Sequence, residues 1–246
     1  MSKKDNKTHV VLVVDRSGSM SSIQRDTIGG INTFLDKYRE TPDNLRVTYI
    51  QFDDRYDIVY DNVEIKFVPE ITNKTFVPRG MTALLDAIGK TVNHISTQLA
   101  LASDEDTRIV VVIVTDGHEN RSREFTRGAI HELITDKQAN HDWQFVFLAA
   151  NQDAIATAQQ YGFKGGTAMN YTAGKVGVAR SFAAVASHTH DYTRGVTNSV
   201  ADFSAYERVC ATGDSVSAQD AALQQLASAT GQSFEDLKKQ ASTGGK

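Results

Sequence analysis

The chain of 246 residues carries one cysteine, three prolines and no surplus of positive charge, and each scarcity removes a class of protein. With Cys210 alone, no intramolecular disulfide, Cys-rich zinc site or CxxC redox pair can form, and a small half-buried thiol is its expected role. Pro42, Pro69 and Pro78 lie in segments that read as connections, so proline interrupts no predicted strand or helix. The 26 Lys and Arg against 30 Asp and Glu leave a net charge of −4, which argues against a nucleic-acid partner, because that role needs a basic stripe to replace counterions. Long hydrophobic runs are missing as well. The first, Val10 to Val14, stops at Asp15 and is too short for a signal h-region or a membrane span, so a cytoplasmic location with no membrane contact is expected. There is no internal repeat and no low-complexity tract.

What is present suffices for a packed core. Hydrophobic residues make up 40% of the chain and charged residues 23%, near the globular average, and the length suits one large α/β domain with at most a small appendage. Val10–Val14, Ile109–Val114 and Phe145–Ala149 are continuous apolar runs, as in strands covered on both faces. Each is followed by helical spacing: Ile28, Ile31, Leu35 and Tyr38 after the first, and Leu85, Ile88, Val92, Ile95 and Leu99 after Thr82. The alternation predicts a doubly wound, mostly parallel sheet. Val47–Phe52 and Tyr56–Tyr60 are too close for a parallel crossover and predict an antiparallel pair at the sheet edge. Asp61-Asn62 is expected to turn the chain into Val63–Phe67. Further on, Asp153–Tyr161 reads as a helix ending at Gly162, Ala168–Tyr171 as a short strand, and Lys175–His190 as a helix. The expected boundaries are a domain over 8–192, a polar linker over 193–204, and a small helical segment over 205–240. That segment has a thin apolar face of Val216, Leu223, Leu226, Phe234 and Leu237.

Three loops carry chemistry. Asp15-Arg16-Ser17-Gly18-Ser19 follows the first strand, at the carboxyl edge where open α/β sheets collect ligands. A tight turn with Gly18 at its apex can aim one carboxylate and two hydroxyls at one point, a donor set that suits hard cations. Helix capping by the same Asp and Ser residues is the alternative. Asp116-Gly117 ends the second buried strand, and Gly80-Met81-Thr82 precedes the long amphipathic helix, where Thr82 too could be a cap. If the sheet is doubly wound, the three loops converge on one edge. Elsewhere, His188, His190 and Asp191 read as helix-end polar residues, Trp143 as strand packing, and Gly162–Gly166 lacks the spacing of a nucleotide loop.

The pattern Asp15-x-Ser17-x-Ser19, Thr82 in a Gly-x-Thr loop, and Asp116-Gly117 resembles the von Willebrand factor A domain with its metal-ion-dependent adhesion site, over about residues 8 to 190. The resemblance implies a Rossmann-like sheet with one antiparallel edge strand. It further implies direct metal coordination by Ser17, Ser19 and Thr82, with Asp15 and Asp116 acting directly or through water, and Mg²⁺ as the ion with Mn²⁺ as a substitute. A cation held largely by hydroxyls stays under-neutralised and attracts an anionic oxygen. The expected function is therefore a metal-dependent protein–protein interaction module, not an enzyme, that clasps an Asp or Glu of a partner. Met20, Arg79, Met81, His118, Glu119 and Asn120 are the expected rim, and Arg121 and Arg123 flank the same loops. The leaderless, compact form suggests a bacterial or phage type of protein, and family analogy suggests an AAA+ ATPase or a phage, stress or defence complex component as partner. Two other readings stand beside it: a metal-dependent hydrolase or phosphotransfer enzyme using Asp15, and a structural metal that stiffens three loops. Aspartyl-phosphate phosphatases generally need a second carboxylate two residues on, where this chain has Ser17.

Overall fold

A run of β-branched residues with no polar face must be covered on both sides, and in the computed structural model every residue of β1 (Thr8–Asp15) is buried. The structure describes residues 7–39, 45–103, 106–150, 153–212, 220, 223–224, 227 and 231–243. Pro42, Val216 and Leu226 lie outside them. β1 is joined by β2 (Leu45–Phe52), β3 (Tyr56–Glu64), β4 (Arg108–Thr115), β5 (Gln144–Ala150) and β6 (Ala168–Tyr171) in one sheet of order β3-β2-β1-β4-β5-β6. All neighbours are parallel except β2 and β3, so β3 is the antiparallel edge strand.

Alternation along β1 divides the core. Val10, Leu12 and Val14 face α1 (Gln24–Arg39) and α5 (Lys175–Thr193), while Val11 and Val13 face α2 (Leu84–Ala102), α3 (Arg127–Asn140) and α4 (Ala154–Gln160). α1 and α5 meet closely: a Cβ at Gly30 would stand 2.4 Å from the Phe182 ring, and the buried hydroxyls of Tyr38 and Thr189 hydrogen-bond across the same contact. β1 leads into β2 on one side, whereas β4 sits on the other. Winding therefore reverses between β1 and β4, and a crevice opens at their carboxyl ends, beyond Asp15 and Thr115.

Two segments differ from expectation. Asp61-Asn62 makes no turn between strands. β3 runs on to Glu64, with register shifts opposite Val47–Ile50 and Asn62 at φ 51°. Thr48 Oγ1 accepts from the Asn62 amide at 2.9 Å and Arg46 Nε donates to Asn62 Oδ1 at 2.7 Å, so the strand on β2 stabilises a bulge where local sequence reads as a turn. The second concerns residues 193–204, where Val200 and Phe203 are buried in the same core. The Phe203 amide donates to Gly166 O at 2.9 Å, and its ring stacks on His188. α6 (Ala205–Thr212) then covers the β6 edge: the Thr172 amide donates to Ala211 O, and the Arg208 guanidinium donates to the carbonyls of Gly165, Gly166 and Ala168. In α7 (Phe234–Thr243), Ser233 caps the start by accepting from the Asp236 amide, and Leu223 and Leu237 are buried. Among the described residues no helix is long and apolar enough to cross a membrane.

From this packing we propose that the folded unit runs through α6. Phe203→Ala is then expected to lower the unfolding free energy by about 3 kcal/mol or more in urea melts; an unchanged midpoint would restore the linker. A second expectation concerns His9, buried on β1 with Nε2 2.8 Å from Thr48 Oγ1. Burial pushes its pKa down from 6.5 to about 4; Asp61 opposes this and Arg46 and His94 add to it. Between those values the unfolded chain binds a proton that the folded chain refuses, so stability falls as pH drops from about 6.5 to 4, by on the order of 3 kcal/mol from this group. Urea midpoints measured across that range should fall more steeply for the wild type than for His9→Gln.

Candidate metal centre

The first loop is organised by its own backbone. Asp15 ends β1 fully buried; its Oδ1 accepts from the Ser17 amide at 2.6 Å and its Oδ2 from Thr115 Oγ1 at 2.7 Å. A 3-10 turn over Gly18–Ile23 then lifts Ser19 to the surface while Ser17 stays buried, with their hydroxyls 3.0 Å apart. Ser19 Oγ donates to Asp116 Oδ1 at 2.6 Å, tying the first loop to the end of β4. A Cβ placed on Gly117 would lie 3.3 Å from Thr82 Oγ1 and 3.6 Å from Ser19 Oγ, so the Thr82 loop reaches the same spot. Five oxygen-bearing side chains from three loops thus gather at the crevice: Ser17, Ser19, Thr82 and Asp116, with Asp15 beneath Ser17.

Capping does not occupy these hydroxyls. α2 starts after Ala83 with no side-chain cap from its own strand of sequence. Its first amides are satisfied from the loop after β4, where Glu119 Oε2 accepts from the Leu85 amide and Ser122 Oγ from the Asp86 amide, each at 3.0 Å. Ser17 precedes the 3-10 turn yet makes no side-chain cap bond either.

Burial disfavours the ionised form of both carboxyls at this corner. Burial raises the Asp15 carboxyl to a pKa of about 6, against hydrogen bonds from Thr115 and Ser17 that lower it, and the Asp116 charge adds to the rise. Burial raises Asp116 as well, opposed by its bond from Ser19. Among the described residues no Lys, Arg or His is bonded to Asp15. Two carboxylates and three hydroxyls without a cation on Asp15 form an all-oxygen donor set that fits a hard divalent ion. Among the described residues no group of three or more His, Cys, Asp and Glu side chains converges.

The supporting residues were mostly silent in the sequence. Arg16, the first x of the Asp15 motif, turns away from the donors. Its Nε donates to the buried Asp53 at 2.9 Å, and its other nitrogens reach Gln51 and Asp57. Asp53 also accepts from Arg79 Nε at 2.8 Å and the Arg55 amide at 2.6 Å. Burial alone would raise the Asp53 pKa, but Arg79, the Arg55 amide and Arg16 outweigh it and hold it below the usual value. Backbone bonds complete the joint: the Arg79 amide donates to Arg16 O, that of Gly18 to Gly80 O, and that of Ala83 to Asp53 O. Gly80 sits at φ 70°, where a Cβ would stand 2.3 Å from Asp54 Oδ1. The sequence signal for this joint is a pair of opposite charges, Arg16 and Asp53, each just past the end of a buried strand.

Of the expected rim, Met81 and His118 are exposed beside the site, and Arg79 is exposed but bound to Asp53. Met20 is a correction: it is wholly buried, sharing the inward face of the 3-10 turn with Ile23, because the turn's three-residue repeat puts both apolar side chains on one side. Glu119 points inward as a loop organiser, accepting from the amides of Leu85, Arg121 and Ser122 and from Ser122 Oγ. Asn120 Oδ1 accepts from the Thr82 amide at 2.9 Å while its own amide donates to Thr82 O, which fixes the Thr82 loop.

This architecture is found in solved structures. A von Willebrand factor type A protein from Catenulispora acidiphila superposes with a TM-score of 0.53 at 12% identity, over 75% of this chain and 43% of that one. Proximal thread matrix protein 1 of the mussel byssus, with a zinc-occupied MIDAS motif, superposes with a TM-score of 0.50 at 13% identity, over 78% and 46%. The chain thus spans less than half the length of either protein. No curated protein matches the sequence significantly. The sequence profile of the von Willebrand factor type A domain matches residues 9–183, most of the chain. On that match, and with the six-stranded sheet in agreement, the chain belongs to the von Willebrand factor type A domain family.

Proposed function

We propose that the domain is a Mg²⁺-dependent protein–protein interaction module that binds an Asp or Glu side chain of its partner. The observation that carries this reading is the gathering of Ser17, Ser19 and Thr82 hydroxyls, none engaged in capping, beside Asp116 and the buried Asp15. Ser17, Ser19 and Thr82 would hold the ion, with Asp15 and Asp116 acting directly or through water. Mn²⁺ is a chemically reasonable substitute. The bound ion supplies an under-neutralised positive charge for an external carboxylate. Met81, His118, Arg79 and Asn120 would frame that carboxylate.

Two observations favour binding over catalysis and over a purely structural ion. Both Asp15 oxygens are engaged, Glu119 accepts four hydrogen bonds, and no described side chain orients the exposed His118, so none of these three is set up as a base or nucleophile. The loops are also joined directly through Asp53 and the backbone, so they do not need an ion as a brace.

Calorimetric titration should give saturable Mg²⁺ binding that Asp15→Ala and Thr82→Ala each abolish or weaken strongly. Mg²⁺ at a hundredfold above Kd should stabilise the fold by about 2.7 kcal/mol. A glutamate-bearing peptide should bind with Mg²⁺ and dissociate with EDTA. Hydrolysis of a phosphate ester that depends on Asp15 would instead establish the enzyme reading, and metal binding with no effect on any ligand would establish the structural one.

A further inference from the structure

We propose that the partner segment is strongly acidic and is held at two points, one carboxylate at the metal and a second in an arginine-lined cavity on the far side of Thr82. The first anchor rests on the metal-dependent reading above; the second rests on separate residues. The cavity has a volume of about 260 Å³ and lies between the β2–β3 turn, the first turns of α2 and the loop after Asp116. That is below the roughly 300–1,000 Å³ of small-molecule sites, and suits a side chain better than a cofactor. Ala83, one of its walls, directly follows Thr82, so the cavity and the metal centre share that stretch of backbone.

Its charges do not cancel. Arg55, Arg121, Arg123 and Lys90 line it together with Asp54, Asp86 and Glu124. Asp86 is committed to the backbone, accepting from the amides of Arg123, Glu124 and Phe125 at 2.9 Å each, and Glu124 pairs with Lys90 at 2.6 Å. Asp54 lies in the field of Arg79, whose charged form it favours. Arg55, Arg121 and Arg123 are tied down through their backbones: their amides donate to Asp53, Glu119 and Asp86 respectively, and the Arg55 carbonyl accepts from the Asp53 amide. Among the described residues their guanidinium groups have no acidic partner. Inward-facing carboxylates thus fix the backbone under three arginines whose charged ends stay open, on a chain whose net charge is −4. Guanidinium groups bind carboxylates in bidentate fashion, and arginines held by a fixed backbone lose less freedom on doing so.

The test uses the full chain and two fluorescent peptides, one with a single glutamate and one with a run of glutamates, followed by anisotropy in saturating Mg²⁺. The wild type should bind the run about tenfold or more tightly than the single glutamate, with the advantage shrinking as salt is raised. The triple variant R55A/R121A/R123A should lose that advantage while keeping its affinity for Mg²⁺ alone and for the single-glutamate peptide. Equal loss for both peptides, or no loss, overturns the second anchor. Arginine dependence that persists in EDTA keeps the second anchor and sinks the metal reading; EDTA sensitivity without arginine dependence does the reverse. Failure of the wild type to bind either peptide overturns both. Inorganic phosphate that displaces the polyglutamate peptide far below the concentration at which free glutamate does would make the cavity a phosphate site and overturn the proposal.

Discussion

The register between β1 and β4 is the constraint on which the site depends. Pairing Val14 with Val114 brings the next residues, Asp15 and Thr115, side by side, and the Thr115 hydroxyl closes onto the Asp15 carboxylate at 2.7 Å. A slip of one residue would turn the side chains at this end of β1 to the other face of the sheet. The register is fixed by burial, since β1 is covered on both faces and every residue from Val10 to Val14 contributes to one core or the other. Tyr171, at the end of β6, secures the same corner by donating its hydroxyl to Thr115 O.

Around that corner the charged residues divide into two sets that scarcely mix. Asp53 and Asp57, paired with Arg16 and Arg79, neutralise one another and fix how the first loop meets the Gly80–Thr82 loop. Desolvating such a group costs about as much as the attraction returns, so its contribution is to geometry more than to net stability. The other set, Asp15 and Asp116, is raised in pKa by burial. A divalent ion would reverse that unfavourable burial, and the Thr82 hydroxyl is left out of capping because Glu119 and Ser122 satisfy the first amides of α2 from outside.

The Asp116 loop has a role beyond Asp116 itself. Glu119 and Asp86 gather six backbone amides between them, three each, and Asn120 locks Thr82 from both its amide and its side chain. The backbone between the Ser17–Asp116 corner and the arginine-lined cavity is thereby held in place. Preorganisation of this kind lets a surface bind without first ordering itself.

The sequence by itself determined the layered α/β fold, the strand runs and the long helices, and it singled out the five oxygen-bearing residues that the fold brings to one corner, because periodicity and short loop motifs are local properties. It also exposed the antiparallel edge, since Asp53-Asp54 leaves no room for a crossover. Tertiary structure decided the rest. Whether Thr82 caps a helix or faces a ligand depends on Glu119 and Ser122, more than thirty residues away. Asp61-Asn62 is a bulge because Arg46 and Thr48 hold it there. Met20 is core rather than rim because a 3-10 turn replaces the first turn of a helix. The segment around Phe203 looks polar and small, yet Val200 and Phe203 close the core beside β6. For Thr82, Asn62 and Phe203 the deciding partner lies elsewhere in the sequence and is near only after the sheet has formed, and no local pattern records it.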